Sequence, residues 1–366
     1  MQGENSLAWL QIISVFIISF IIVLVTVPQV RKFAHQWKLG DKPNGRKIHA
    51  SAIPHLGGIG ITCGILASMA AYEYLFDHSV FLFARIIPGL SLIIILGLLD
   101  DLLNLKALQK LTVQILAGLV LVISGFKLVL GIPAIDAVSA FAIFLSILYL
   151  VGVSNSINLI DGHDGLAAGL CFISSMAFAI VAAVTHVPDA LLLSLATGGA
   201  CLAFLVFNFP PAKIFMGDTG SMLLGMCLAL VSCSLMMFRP SPYTFVASFL
   251  ILGIPMLDTM LAITRRLVLR APLFGADCLH IHHVLASFGV SERQTLLLLY
   301  GVQAGFCAVG VLAAQHSLYS VILGIAVLLV LFAVFLRWMT ASIRIEREVA
   351  AQLAHDTIPS LDEIAK

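Results

Sequence analysis

Ser91-Leu-Ile-Ile-Ile-Leu-Gly-Leu-Leu99 is apolar on every side and ends on Asp100-Asp101. A segment with no polar stripe cannot lie on a water-facing surface as an amphipathic helix does, so its surroundings are lipid or buried protein. The carboxylate pair marks where that apolar medium stops. The same pattern recurs along the chain. A spanning helix takes about 20 mostly apolar residues, and eleven such stretches lie at roughly 7–27, 56–76, 82–99, 110–128, 137–157, 164–185, 189–208, 219–238, 243–263, 295–314 and 317–338.

The 366 residues are 60% hydrophobic and 11% charged, with a mean hydropathy of +1.07, against about a quarter charged in an ordinary soluble domain. The expected fold is an all-α integral membrane protein of about eleven transmembrane helices, one polytopic domain over 1–338 with a charged cytoplasmic tail at 339–366. No room remains for a soluble catalytic domain. The net charge of +1 is scattered over short loops, which excludes the concentrated basic face that nucleic acid requires. MQGENS carries no Lys or Arg, so 7–27 reads as a retained anchor and not a cleaved signal. Six of the seven cysteines fall inside apolar runs and Cys278 in a loop, without CxxC spacing, so neither disulfides nor a zinc site is expected.

Basic residues set the orientation. With the N-terminus outside and the C-terminus cytoplasmic, the inner loops and tail collect seventeen of the twenty Lys and Arg residues, leaving only Arg85, Lys127 and Arg239 outside. Under that topology four polar clusters share the cytoplasmic face: Asp100 and Asp101; Asn158, Asp161 and Asp164; Asp218; and His280, His282 and His283. Clusters from four distant stretches on one face point to one site.

Each cluster also has a plainer reading. A lone carboxylate at a span's end is as readily a solvated terminus, but two adjacent ones are poorly placed for the helix C-terminal dipole and favour a recruited cation. Asn155-Ser-Ile-Asn158-Leu-Ile-Asp161-Gly-His-Asp164-Gly165 repeats a polar residue every third position, so as a helix these residues approach one face, and as a turn they are a Gly-containing link between spans. Ionisable groups at a membrane boundary weigh toward function. Phe215-Met-Gly217-Asp218-Thr219-Gly220-Ser221 opens a span with glycines that present N–H groups to phosphate, or with Asp218 as an N-cap. His280-Ile-His282-His283 follows Arg265, Arg266 and Arg270; locally it fits zinc or an interfacial helix edge. Set among at least five carboxylates, hard oxygen ligands point to Mg²⁺ or Mn²⁺ as the metal, leaving imidazoles and guanidiniums for phosphate and sugar. The basic, turn-rich loop with Arg46 and Lys47 is either topogenic or a seat for an anionic headgroup or nucleotide.

Taken in order, these motifs resemble the polyprenyl-phosphate N-acetylhexosamine-1-phosphate transferases of glycosyltransferase family 4, in the WecA/TagO-like branch. The resemblance rests on D-x-P-N-x-R-K-x-H at 41–49 with P-x-x-G-G at 54–58, D-D at 100–101 with K-L-x-x-Q at 110–114, and N-x-x-D-G-x-D-G-L at 158–166. It continues through F-M-G-D-T-G-S at 215–221, R-R at 265–266, H-x-H-H at 280–283 and S-x-R-Q at 291–294. It implies transfer of N-acetylglucosamine 1-phosphate from UDP-N-acetylglucosamine to undecaprenyl phosphate, with release of UMP, at a bacterial inner membrane. It implies Asp218 as a metal ligand with help from Asp100 and Asp101, and Asp100, Asp101, Asp161 and Asp164 as the catalytic carboxylates. It implies Asn158, Phe215, Arg265, Arg266, His280, His282, His283, Arg46 and Lys47 as substrate-binding residues, with Phe215 stacking on uracil. The implied cofactor is Mg²⁺ or Mn²⁺; the implied partners are the UDP-sugar, the lipid phosphate and the membrane, and a homodimer is compatible with them. His163, where the family has an aliphatic residue, and Cys278, where a basic one is common, bear on donor specificity. The H-x-H-H run disfavours a UDP-MurNAc-pentapeptide donor. A CDP-alcohol phosphotransferase would need an Ala-Arg pair where Ala167-Ala168-Gly169 stands, and a secondary transporter would place its ionisable residues near mid-bilayer.

Overall fold

A computed structural model of the chain describes residues 2–37, 53–76, 82–130, 139–270 and 289–315, with isolated positions at 280, 281 and 285 and between 319 and 344. Every regular element among them is a helix: α1 (Gln2–Gln36), α2 (Gly57–Leu75), α3 (Leu82–Leu103), α4 (Ala107–Ile123), α5 (Ser139–Ile160), α6 (Leu166–Thr185), α7 (Pro188–Asn208), α8 (Gly217–Phe238), α9 (Pro242–Ile251), α10 (Gly253–Leu269) and α11 (Glu292–Ala313). Eight of them are long and apolar enough to cross a membrane, or nine if α9 and α10 count as one bent span. The chain is a multi-pass membrane protein. Of the eleven expected stretches, the one at 110–128 is the shorter apolar helix Ala107–Ile123, and 317–338 lies largely outside the described residues, as does the tail.

Burial shows the lipid-facing pattern directly. On α1, Leu10, Ile13, Ile17, Ile21 and Val25 are exposed at three- and four-residue steps, while Val15, Ser19, Val23 and Val27 on the other face are fully buried. Apolar side chains thus cover both faces, and the outward ones need lipid as their solvent. At the opposite extreme is α8, buried from Thr219 through Met236. It is the central post, packed by α2, α3, α5 and α7.

Lipid offers helices no hydrophobic drive to associate with one another, so close backbone approach carries the packing. At Gly97 on α3, an added Cβ would fall on the Thr219 backbone of α8; at Gly58 on α2, one would fall on Gly220. Both contacts lie at the N-terminal end of α8. They bring the end of α3 and the start of α2 against it.

α9 and α10 meet at an 82° bend across Leu252. The bend frees backbone groups that the apolar interior cannot hydrate. Gln303 of α11 takes them up: its Oε1 accepts the Ile254 N–H at 3.0 Å, and its Nε2 donates to the Ile251 carbonyl at 2.7 Å and to Ser174 Oγ at 2.8 Å. Ser174 Oγ donates to the same carbonyl at 2.8 Å. Gln303→Leu leaves these groups unmet and is expected to destabilise the protein by about 1–3 kcal/mol, seen as a lower melting temperature in detergent; an unchanged melting curve would mean the bend holds without it.

Candidate active site

The site begins with the way α8 starts. Its first N–H groups have no partner within the helix, and Asp101, at the end of α3, supplies one from outside. Asp101 Oδ1 accepts the Asp218 N–H at 2.7 Å, and Oδ2 accepts the Thr219 N–H at 3.2 Å and the Thr219 hydroxyl at 2.6 Å. Gly217 permits this: its φ is +68°, and a Cβ there would strike the Asp101 carboxylate and the His55 carbonyl. Asp101 is therefore an N-cap delivered from another helix. Its negative charge sits against the positive end of the α8 dipole.

The neighbouring Asp100 points elsewhere. It is 6% exposed; Oδ1 accepts the Leu105 N–H at 2.7 Å, closing the α3–α4 turn, and Oδ2 pairs with the Lys110 ammonium. Lys110 Nζ also lies 2.6 Å from Asp218 Oδ2. One ammonium thus joins carboxylates 118 positions apart in the chain. Sequence reasoning quoted Lys110 within a motif but gave it no role.

The strip at the end of α5 reaches the same place. Asn158 Nδ2 donates to Ser221 Oγ at 3.0 Å, on the first turn of α8. Burial, and then the charges of Asp218, Asp101 and Asp164, push the Asp161 carboxyl well above the usual carboxylate range. Asp164 Oδ2 accepts the Ala212 N–H at 2.8 Å, which ties this loop to the α7–α8 connection. Two further residues grip the loop, as Asn208 Oδ1 accepts the Gly165 N–H at 2.9 Å and the Tyr300 hydroxyl donates to the Gly165 carbonyl at 2.6 Å, while Arg293 Nη2 donates to the Pro210 carbonyl of the α7–α8 connection at 3.3 Å. His163 Nδ1 lies 3.0 Å from the Gly162 carbonyl, its ring partly exposed.

Phe215 stands just before α8, half-buried, with its ring centroid 5.1 Å from that of His55. Its backbone runs beside the segment leading to α2, donating to the Pro54 carbonyl at 2.9 Å and accepting from the Gly57 N–H at 2.9 Å. A second polar group sits on α10. Arg265 is only 2% exposed, Arg266 is half-buried, and Asp258, 2% exposed, holds His280. α5 packs against both α8 and α10 and so joins the two groups. Arg46, Lys47, His282 and His283 lie outside the described residues. Asp258, Asn208 and Tyr300 were missed by sequence reasoning, although a carboxylate within the apolar run 243–263 was a signal available to it.

Five carboxylates, Asp100, Asp101, Asp161, Asp164 and Asp218, gather at one end of the bundle, two of them, Asp100 and Asp218, on the ammonium of Lys110. That surplus of negative charge, presented as hard oxygens, fits Mg²⁺ or Mn²⁺. Among the described residues no three His, Cys, Asp or Glu side chains form a ready metal cage. Asp100 and Asp218 are the residues that would hold a divalent ion, and Mg²⁺ commonly binds through one or two carboxylates with substrate phosphates completing its shell.

Two outcomes follow for the cation-free protein. Because the fold favours the protonated form of Asp161, stability declines as pH climbs from about 4, the ordinary carboxylate value, through the raised value; Asp161→Asn is expected to flatten that slope in melting curves taken between acid and neutral pH. Asp101→Ala removes the cap and is expected to cost about 1–2 kcal/mol, measured by thermal unfolding, where an unshifted midpoint would deny the capping role.

Comparison with known proteins shows the family. A family model described as glycosyl transferase family 4 matches residues 83–236. The chain is 36% identical over 295 residues to a probable undecaprenyl-phosphate N-acetylglucosaminyl 1-phosphate transferase of Bacillus subtilis, covering 80% of this chain and 82% of that one. It is 36% identical over 294 residues to a decaprenyl-phosphate N-acetylglucosaminephosphotransferase of Mycobacterium leprae, covering 70% and 72%. An undecaprenyl-phosphate alpha-N-acetylglucosaminyl 1-phosphate transferase of Escherichia coli is 28% identical over 311 residues, covering 82% and 83%. The protein is a membrane-embedded transferase, and it belongs to glycosyl transferase family 4.

Proposed function

We propose that the protein moves N-acetylglucosamine 1-phosphate from UDP-N-acetylglucosamine to undecaprenyl phosphate, releasing UMP, at the cytoplasmic face of a bacterial inner membrane. The observation that carries the reading is the carboxylate cluster at the start of α8, where Asp100 and Asp218 converge on one cationic group beside a helix N-terminus. An anionic diphosphate needs neutralising positive charge, which Lys110 and a divalent ion drawn by the surplus carboxylates would supply. The names of the relatives support the sugar and lipid chosen. The bias of basic residues supports the cytoplasmic side.

In the reaction an oxygen of the lipid phosphate bonds to the β-phosphorus of the donor, and the bond to the oxygen shared with the α-phosphate breaks, leaving on UMP. Phosphoryl transfer is mostly positioning and charge neutralisation. Asp218 and Asp100 would hold the divalent ion, which would supply charge neutralisation for the diphosphate. Lys110, within reach of both, supplies a mobile positive charge for the phosphates. Asp101 fixes the start of α8 so that Asp218 faces the site. Much of the acceptor is already the dianion at neutral pH, since a phosphate monoester's second pKa is about 6, so attack needs no strong base, and Asp161 adds its carboxyl to the acidic lining. Asp164 anchors the loop that carries Asp161. Asn158 and Phe215 line the nucleotide, and Arg265, Arg266 and the histidines of 280–283, with Arg46 and Lys47, meet phosphate and sugar.

Purified protein in lipid nanodiscs, given UDP-N-acetylglucosamine, undecaprenyl phosphate and Mg²⁺, is expected to release UMP, to stop on chelation, and to lose about 10³-fold or more in Asp218→Asn while keeping its size-exclusion profile. A panel of other UDP-N-acetylhexosamines fixes the donor. Absence of UMP release with every UDP-sugar would end the proposal.

A further inference from the structure

Asp258 lies on α10, within an apolar run, and is 2% exposed. A carboxylate so placed is retained only with strong partners. It has two on the H-x-H-H segment: Oδ2 lies 2.7 Å from His280 Nδ1, and Oδ1 accepts the Ile281 N–H at 2.9 Å. His280 is itself buried, at 6% exposure. One side chain therefore holds both the backbone and the ring at the start of this segment.

We propose that Asp258 is a positioning residue that aims His280 at the donor's phosphate and sugar; the inference rests on the reading of His280 as substrate-binding given above. With Asp258 as the acceptor of this pair, the imidazole nitrogen facing it carries the proton. Nε2 lies across the ring from that contact, and under this proposal it is the atom that meets the ligand. Two bonds at adjacent residues fix the ring's position as well as its tautomer, as a single contact could not. Arg265 occupies the same face of α10 seven residues on, two helical turns away. That face thus carries an anion that orients a histidine and a guanidinium suited to phosphate.

Asp258→Asn keeps shape and hydrogen-bonding capacity but changes what it asks of His280. Its single oxygen can satisfy Ile281 or Nδ1–H, and its amide must donate to the other site, which either loses the backbone bond or reverses the tautomer. The test is a double-mutant cycle in nanodisc-reconstituted full-length protein, with kcat and KM for the UDP-sugar measured by UMP release for wild type, Asp258→Asn, His280→Ala and the double variant. The expected result is a fall of about 10- to 100-fold in kcat/KM for Asp258→Asn, and less than about 2-fold further loss when it is added to His280→Ala. Melting temperatures of Asp258→Asn and wild type are expected to agree closely. Losses that simply multiply, or an Asp258→Asn variant with wild-type kinetics beside an impaired His280→Ala, overturn the positioning role and leave the site reading standing. A His280→Ala variant with wild-type kinetics overturns both.

Discussion

The cap that Asp101 places on α8 is the contact on which the rest of the site depends. A helix beginning at a membrane boundary has unpaired N–H groups and a positive end, and here a carboxylate from α3 meets both. The contact requires Gly217 to turn through positive φ and Gly97 to let two backbones touch. Once it is made, the neighbouring side chains have little freedom. Asp100, one residue earlier on α3, is turned toward Lys110, and Asp218, the second residue of α8, is turned toward the same ammonium. Two adjacent aspartates that look equivalent in the sequence thus do different work, one building the helix start and the other facing the charge site.

Much of this was legible beforehand, for identifiable reasons. Spans are written in local composition, so the uniformly apolar stretches from 7–27 to 295–314 correspond to helices. The carboxylates stood out because ionisable residues at apolar boundaries are costly to keep. The bend at Leu252 was not legible, because the sequence around Leu252 is apolar and the group that makes a bend tolerable, Gln303, lies on another helix. Lys110 escaped for a related reason. A lysine at the foot of an apolar stretch is an ordinary topogenic charge until its partners are known, and those partners come from α3 and α8.

The loop between α5 and α6 shows how a polar turn is made rigid without regular structure. Asn208 and Tyr300 hold it through the Gly165 N–H and carbonyl, and its own Asp164 ties it to the Ala212 N–H of the α7–α8 connection. Gly169 admits the Tyr300 ring, since a Cβ there would occupy the ring's place. Side chains on helices far apart in the chain therefore fix the peptide that presents Asp161. Its carboxyl is held among like charges, an arrangement that is costly in the absence of a compensating cation.

α10 carries Met260, Ile263, Leu267 and Val268 exposed on one flank, while Asp258 and Arg265 are covered on another. Beginning at the 82° bend, it therefore works as insulation, keeping a polar pair out of the apolar solvent that its other flank requires.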